Sequence, residues 1–197
     1  MNKKILALSL VAAFAMPAMA MAANSTPHWF VNGQIGQSKL RGMTASNDTS
    51  TGTDFNVGYR WDVGPTIQLG VEAGYADLGK YSDSSYNTNV QGKLSGNTIG
   101  ITSRFLFGSH WYMNLDGGYF AAKQQIDGNG LLFTGYNTYA YNYHSSHTKG
   151  SSYVTLGFGY DFNRNVSLGV NVSNFDDKDS QFDLTSGLYG VSLEVRF

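Results

Sequence analysis

The side chains that could do chemistry in this sequence fall into three groups. His144-Ser145-Ser146-His147 sets two imidazoles three residues apart with hydroxyls between them. Two imidazoles could begin a zinc site, but no carboxylate stands near them and the chain has no Cys. The donor set stops short of what zinc needs. Serine beside histidine could begin a nucleophile–base pair, which works only when a third group orients the base and rigid elements hold all three. These four residues are expected in the middle of a long loop. Asp176-Asp177-Lys178-Asp179 lacks the further oxygens and the glycine of a Ca²⁺ loop and reads as a solvated acidic loop. The third group is dispersed: Arg60, Glu72, Arg104, Asp116, Asp161, Glu194 and Arg196 stand singly among small or apolar residues. No catalytic residue, metal or cofactor is expected, and the chain is expected not to be an enzyme.

The elements that must position the dispersed charges are strands. Ile67, Leu69, Val71, Ala73 and Tyr75 alternate with Gln68, Gly70, Glu72 and Gly74, a period of two that marks a strand with unlike faces. Val166 to Ser173 and Val154 to Phe162 repeat the scheme. Eight such segments are expected, at about 28–39, 53–61, 66–76, 94–107, 111–120, 152–162, 166–175 and 186–197, and no helical period competes with them. Short connections at 62–65, 108–110 and 163–165 are rich in turn residues. Long polar stretches at 40–52, 77–93, 121–151 and 176–185 alternate with them. Gly157-Phe158-Gly159 lies inside a strand with no following helix, so it serves packing and not phosphate binding. The fold class is all-β, an eight-stranded antiparallel up-and-down barrel, closure being what removes the open edges.

Composition agrees. The chain has 197 residues, 24 Gly, 14% aromatic and 14% charged residues, with 13 Lys+Arg against 14 Asp+Glu. That aromatic share excludes a disordered chain, and the balanced charge gives no field for nucleic acid. The first residues, MNKKILALSLVAAFAMPAMAMAA, carry a basic start, an apolar core and small-x-small cleavage sites. Residues 1–22 are expected to be a cleaved signal peptide and 23–197 the barrel domain of an exported protein.

The lipid side follows from the two faces. One face of every strand is large and apolar; the other is small and polar, suited to a crowded interior. Strands of about 9–12 residues match the ~9–11 that cross a bilayer at a tilt. Trp29, Trp61 and Trp111 all fall at the short-turn end, where with Phe105, Phe107, Phe162 and Phe197 they form an aromatic girdle. Tyr75, Tyr119 and Tyr189 form a second belt near the other end. The barrel is therefore expected to be transmembrane.

The last strand ends Tyr189, Val191, Leu193, Val195 and Phe197 at alternating positions. This resembles the C-terminal signal read by the barrel-assembly machinery of the bacterial outer membrane. With the signal peptide and eight strands, the chain is similar to the OmpA/OmpX-like eight-stranded outer-membrane β-barrel family. The resemblance implies an outer-membrane location, termini in the periplasm, long loops outside, and contact with membrane lipid and lipopolysaccharide. OmpA itself carries a peptidoglycan-binding domain after the barrel; this sequence stops at the barrel, so cell-wall anchoring is not carried over. The inward charges are expected to form an ion network that plugs the lumen, the alternative being a gate for a narrow ion or small-solute channel. Tyr136, Tyr139, Tyr141 and Tyr143 are the candidate recognition surface, since tyrosine gives large contacts at low entropy cost. OmpX/Ail-like relatives suggest adhesion to a host surface, another cell or a phage. Serine with histidine outside the membrane also resembles lipid A deacylases, which leaves a lipid A-modifying enzyme as the further alternative.

Overall fold

The computed structural model describes the backbone of residues 28–41, 49–85, 88–134, 137–178 and 183–197, and within these the side chains except at 40–41, 81–85, 88–90, 126–134, 137–144, 177–178 and 183–185. The segment expected to be a signal peptide, and Tyr136, Tyr139, Tyr141 and Tyr143 as side chains, lie outside the described residues. Eight strands follow in order: β1 Trp29–Arg41, β2 Thr49–Asp62, β3 Ile67–Ser85, β4 Thr88–Phe107, β5 Trp111–Thr134, β6 Asn137–Asp161, β7 Val166–Lys178 and β8 Asp183–Arg196. Each pairs antiparallel with the next, and β1 closes on β8. Closure extends to the chain end, where the Trp29 amide donates to the Phe197 carbonyl at 3.2 Å and the Phe197 amide to the Trp29 carbonyl at 3.0 Å.

Register fixes the geometry. A line of paired residues from Trp29 runs through Tyr59, Val71, Ile101, Gly117, Val154, Asn174 and Gly187 and returns to β1 at Lys39. The offset of ten residues is the barrel's shear. For eight strands it implies a tilt of about 40° and a wall radius of about 8 Å, so side chains fill the interior.

The outer face is apolar all the way round. Ile35, Phe55, Val71, Ile101, Leu115, Leu156, Val170 and Val191, one from each wall strand, are all exposed. A protein in water rarely leaves so continuous an apolar surface open, whereas a bilayer requires it. Trp29, Trp61, Trp111 and Phe197 sit at the turn end and are about half exposed. Edge-to-face contacts knit the girdle: Trp29–Tyr59 and Tyr59–Trp61 centroids lie 5.2 Å apart. Tyr75, Tyr119 and Tyr189 are exposed at the opposite end.

The long connections depart from expectation. β1, β2, β7 and β8 have 13 or 14 residues, but β3 to β6 have 19, 20, 24 and 25. Most of 77–93 and 121–151 is therefore strand, not loop: β5 and β6 pair from Trp111↔Tyr160 to Thr134↔Asn137. His144 to His147 lie on β6 and Asp176 to Lys178 end β7, which corrects the loop placement of these residues; Asp179 lies outside the described residues. Hydrogen bonding continues beyond the bilayer where the apolar alternation does not, because water wets both faces there. One irregularity marks the change, a register shift between Asp77 and Lys80. Gly79 takes a φ of +87° in it, with its amide donating to Asp77 Oδ1 at 3.0 Å.

Candidate functional site: the plugged lumen

The inward residues of every strand converge in the lumen, and they sort into layers. Nearest the short turns lies an ion-pair layer. Glu194 accepts from Arg60 Nη1 at 2.9 Å and from Arg104 Nη1 at 2.8 Å. Asp161 accepts from Arg104 Nη2 at 2.5 Å and Arg196 Nη2 at 2.8 Å, and Arg196 Nε lies 3.7 Å from Glu194. The Ser167 hydroxyl accepts from Arg104 and Arg196 and donates to Asp161. Arg104 and Glu194 are essentially inaccessible to solvent. Charges taken so far out of water persist only when paired and hydrogen-bonded, and the guanidinium fork lets one arginine serve two carboxylates.

Rings and glycines set the arginines in place. Arg60 lies 3.7 Å over the Phe30 ring and Arg104 3.5 Å over Tyr112. The rings lie against wall positions that have room for no side chain: a Cβ at Gly58 would stand 2.5 Å from Phe30, and one at Gly159 2.4 Å from the Tyr112 hydroxyl. Glycine on this face makes space for a ring, and the ring carries a cation.

Above this layer is an acidic chamber. Asp54, Glu72 and Asp116 are buried around it. The Tyr153 hydroxyl donates to Glu72 at 2.7 Å, and the Asn56 amide donates to Asp54 at 2.9 Å. The chamber encloses about 10 Å³, room for about one water. Higher still, Ala76, Leu78, Leu94, Phe120, Ala122, Tyr153, Phe175 and Leu188 form one buried apolar layer, with Phe120 and Phe175 centroids 4.9 Å apart. Below the ion pairs, a mouth of about 420 Å³ opens among the short turns, lined by Gln68, His110, Asp161, Arg164 and Arg196 among others.

The structure thus brings Arg60, Arg104, Glu194 and Arg196 together with Asp161, and sets Glu72 and Asp116 apart in the acidic chamber. Sequence reasoning missed Asp54, although it shares the phase of Arg60 on β2. It also missed the apolar layer, whose residues continue the inward phases of Glu72, Asp116 and Glu194. Of the C-terminal residues, Tyr189, Val191 and Phe197 are exposed, Leu193 is half-buried and Val195 buried. On β6, Ser146 and His147 are exposed opposite Gln125 and Gln124, and the His144 side chain lies outside the described residues. Among the described residues, no three of His, Asp and Glu converge as a metal cluster.

A closed, lipid-facing cylinder whose lumen is filled by layered side chains is an integral membrane β-barrel. The chain belongs to the family described as outer membrane protein beta-barrel domain, which matches residues 6–197. Among solved structures it is similar to Ail, the attachment invasion locus protein of Yersinia pestis. Identity is 12% and the TM-score 0.57, over 88% of this chain and 100% of that one. A second Ail structure, in complex with the heparin analogue sucrose octasulfate, matches with the same TM-score and coverage at 11% identity. The outer membrane protease OmpT from Escherichia coli matches at 11% identity and a TM-score of 0.54, over 90% of this chain and 99% of that one. No curated protein sequence matches the chain.

Proposed function

We propose that this protein is a non-catalytic surface-interaction barrel, anchored by a plugged cylinder and working through the tall sheet of β3 to β6. The observation that carries the reading is the edge of β6. Among the described residues, Asn137–Thr148 pairs with β5 alone, while the Ser151 hydroxyl already reaches the Asp176 carbonyl and strand pairing with β7 begins at Ser152. That is about 40 Å of strand with one hydrogen-bonding edge unpartnered. An open edge presents amides and carbonyls at fixed spacing and is a template for an extended segment of another molecule. On the opposite side, strand pairing of β3 with β2 ends at Asp77, with one further bond from the Lys80 amide to the Ser50 hydroxyl. Tyr139, Tyr141 and Tyr143 lie in this stretch of β6 and, with Tyr136 just before it in the sequence, are the candidate contact residues.

In this reading residues 1–22 are removed on export and the termini face the periplasm. Tyr189, Val191, Leu193, Val195 and Phe197 serve the assembly machinery, and lipopolysaccharide surrounds the outer belt. The apolar layer and the ion pairs both lie across the lumen, which argues against the pore alternative. A membrane-inserted wild-type barrel should be silent in a planar bilayer. The test removes residues 129–142, so that the opposed pair Gly128 and Tyr143 closes a shorter hairpin on the same register. The trimmed barrel should fold and insert as wild type does but lose binding to host cells and to sucrose octasulfate, the heparin analogue in complex with Ail. Binding undiminished by the trim would overturn the proposal.

A further inference from the structure

The mouth below the ion pairs measures about 420 Å³, within the range of small-molecule sites, and neither the plug nor the tall sheet uses it. Its walls are built before any ligand arrives. The turn that carries Arg164 is bolted to β8: the Arg196 amide donates to the Asn165 carbonyl at 2.7 Å, and the Asn165 side-chain amide donates to the Arg196 carbonyl at 2.8 Å. Asn163 Oδ1 closes the same turn by accepting from the Asn165 and Val166 amides, both at 2.8 Å. On the neighbouring turn, the His110 carbonyl accepts from the Asp161 amide at 2.6 Å, and the His110 ring stacks on Tyr160 with centroids 5.2 Å apart. Gln68 is tied to Asp62 at 2.8 Å. Walls held in this way need little ordering when a ligand enters.

Two guanidinium groups line this space with donors to spare. Buried Arg196 spends Nη2 on Asp161, Ser167 and the Asn163 carbonyl and sets Nε 3.7 Å from Glu194, while its Nη1 donates to none of them. Among the described residues, no ion pair or hydrogen bond engages the guanidinium of Arg164, which stands exposed at the rim. Asp161 alone in the described lining is a carboxylate, and Arg104 and Arg196 already hold it. We propose that the mouth binds the carboxylate of a small organic molecule between Arg164 and Arg196. The planar fork of a guanidinium matches the two oxygens of a carboxylate. A single negative charge suits the site better than a phosphate dianion, which would meet Asp161. Leu106 and the His110 ring offer the organic part an apolar surface, and Ser109 adds a hydroxyl. In the orientation proposed above the mouth opens to the periplasm, so the source is a peptide C-terminus or a free organic acid there. With the ion pairs behind it, the mouth is a binding site and not an entrance.

The experiment titrates the whole refolded mature barrel, isotope-labelled and in uncharged detergent, with acetyl-dialanine, whose only charge is its C-terminal carboxylate. NMR signals are followed at the two arginines and at His110. The expected result is saturable shifts confined to the mouth, and none with the same peptide capped as its C-terminal amide. Arg164→Gln should fold as wild type does and weaken binding about tenfold or more, the worth of one hydrogen bond between charged groups. Lys123→Gln removes an exposed cation toward the far end of the barrel and should leave binding unchanged. Acetate separates the two sources: equal affinity assigns free acids, much weaker affinity assigns peptide C-termini, and either upholds the carboxylate. A folded wild-type barrel whose mouth signals stay still, or move equally with the capped peptide, overturns the proposal. So does inorganic phosphate binding more tightly than the peptide. An equal loss in Lys123→Gln also overturns it, because the attraction would then belong to net charge and not to the mouth.

Discussion

The two ends of the lumen meet the same demand, a cylinder of about 8 Å radius to be filled, with opposite materials. Toward the short turns it is filled by three arginines and two carboxylates; toward the far end by Phe120, Phe175, Leu78, Leu94 and Leu188. The ion-pair end has strict geometry, because each guanidinium must find its carboxylate across the barrel. Arg60 and Glu194 are 134 residues apart in the chain, and Arg104 and Glu194 are 90 apart. Such pairs form only when the shear is right, so they specify register. The apolar end tolerates sliding but resists voids, so it seals. One end defines the barrel and the other closes it.

Breaking each end separately tests that division. The largest effect is expected for Arg104→Ala, which strands Glu194 and Asp161 and removes the stack on Tyr112. Losing one partner of a buried ion pair costs about 3–5 kcal/mol, read as a lower urea midpoint for unfolding of the refolded barrel. Phe120→Ala should cost somewhat less, about 3 kcal/mol, mostly through the cavity left against Phe175. The two should also differ in kind. Arg104→Ala should slow or scatter assembly, since register is lost, whereas Phe120→Ala should assemble at the wild-type rate into a weaker barrel. Equal assembly rates for both variants would show that register is set elsewhere, in the turns.

How much of this was legible in the sequence depends on which face carried the signal. Where lipid lies outside and polar groups lie inside, alternation is sharp, and Ile67 to Tyr75 can be read as a strand with both faces assigned. Arg60, Glu72, Arg104, Asp116, Glu194 and Arg196 were placed inward for the same reason. Alternation reports phase, however, and not the offset between neighbouring strands. The pairing of Arg60 with Glu194 therefore needed the shear, which only the closed structure supplies. Beyond the bilayer the contrast itself fades: residues 121–151 mix polar, aromatic and apolar types without strict alternation and read as loop, while the backbone keeps its ladder. The apolar layer was hidden differently. Leu78, Phe120 and Phe175 keep the inward phase but change its chemistry from polar to apolar, at the point where the strands had been judged to end. Asp54 stands at the second residue of the expected segment 53–61, where alternation is too short to assign a face.

The smallest expected effect comes from a pair outside both layers, and it sharpens the contrast between charges inside and outside the barrel. Lys93 Nζ lies 2.9 Å from Asp77 Oδ2, beside the Gly79 irregularity, with both side chains about one-third exposed. The geometry matches that of Arg60 with Glu194 at 2.9 Å, so any difference in strength is a difference of surroundings. In water the pair is screened and holds two flexible side chains, which limits it to about 0.2–1 kcal/mol. The hydrogen bond to Asp77 raises the Lys93 ammonium above its ordinary pKa of 10.5, with partial desolvation opposing it. A lysine favoured in its charged form by folding contributes fully below its unfolded pKa and loses that contribution as pH rises through the higher folded value. Lys93→Met should therefore lower stability by less than about 1 kcal/mol at pH 7, by less in 1 M salt, and by almost nothing well above pH 11. Arg104→Ala should keep its cost under the same salt, because the buried layer is beyond the reach of screening ions. If salt erased the Arg104 effect as well, the lumen would be a hydrated channel and not a plug.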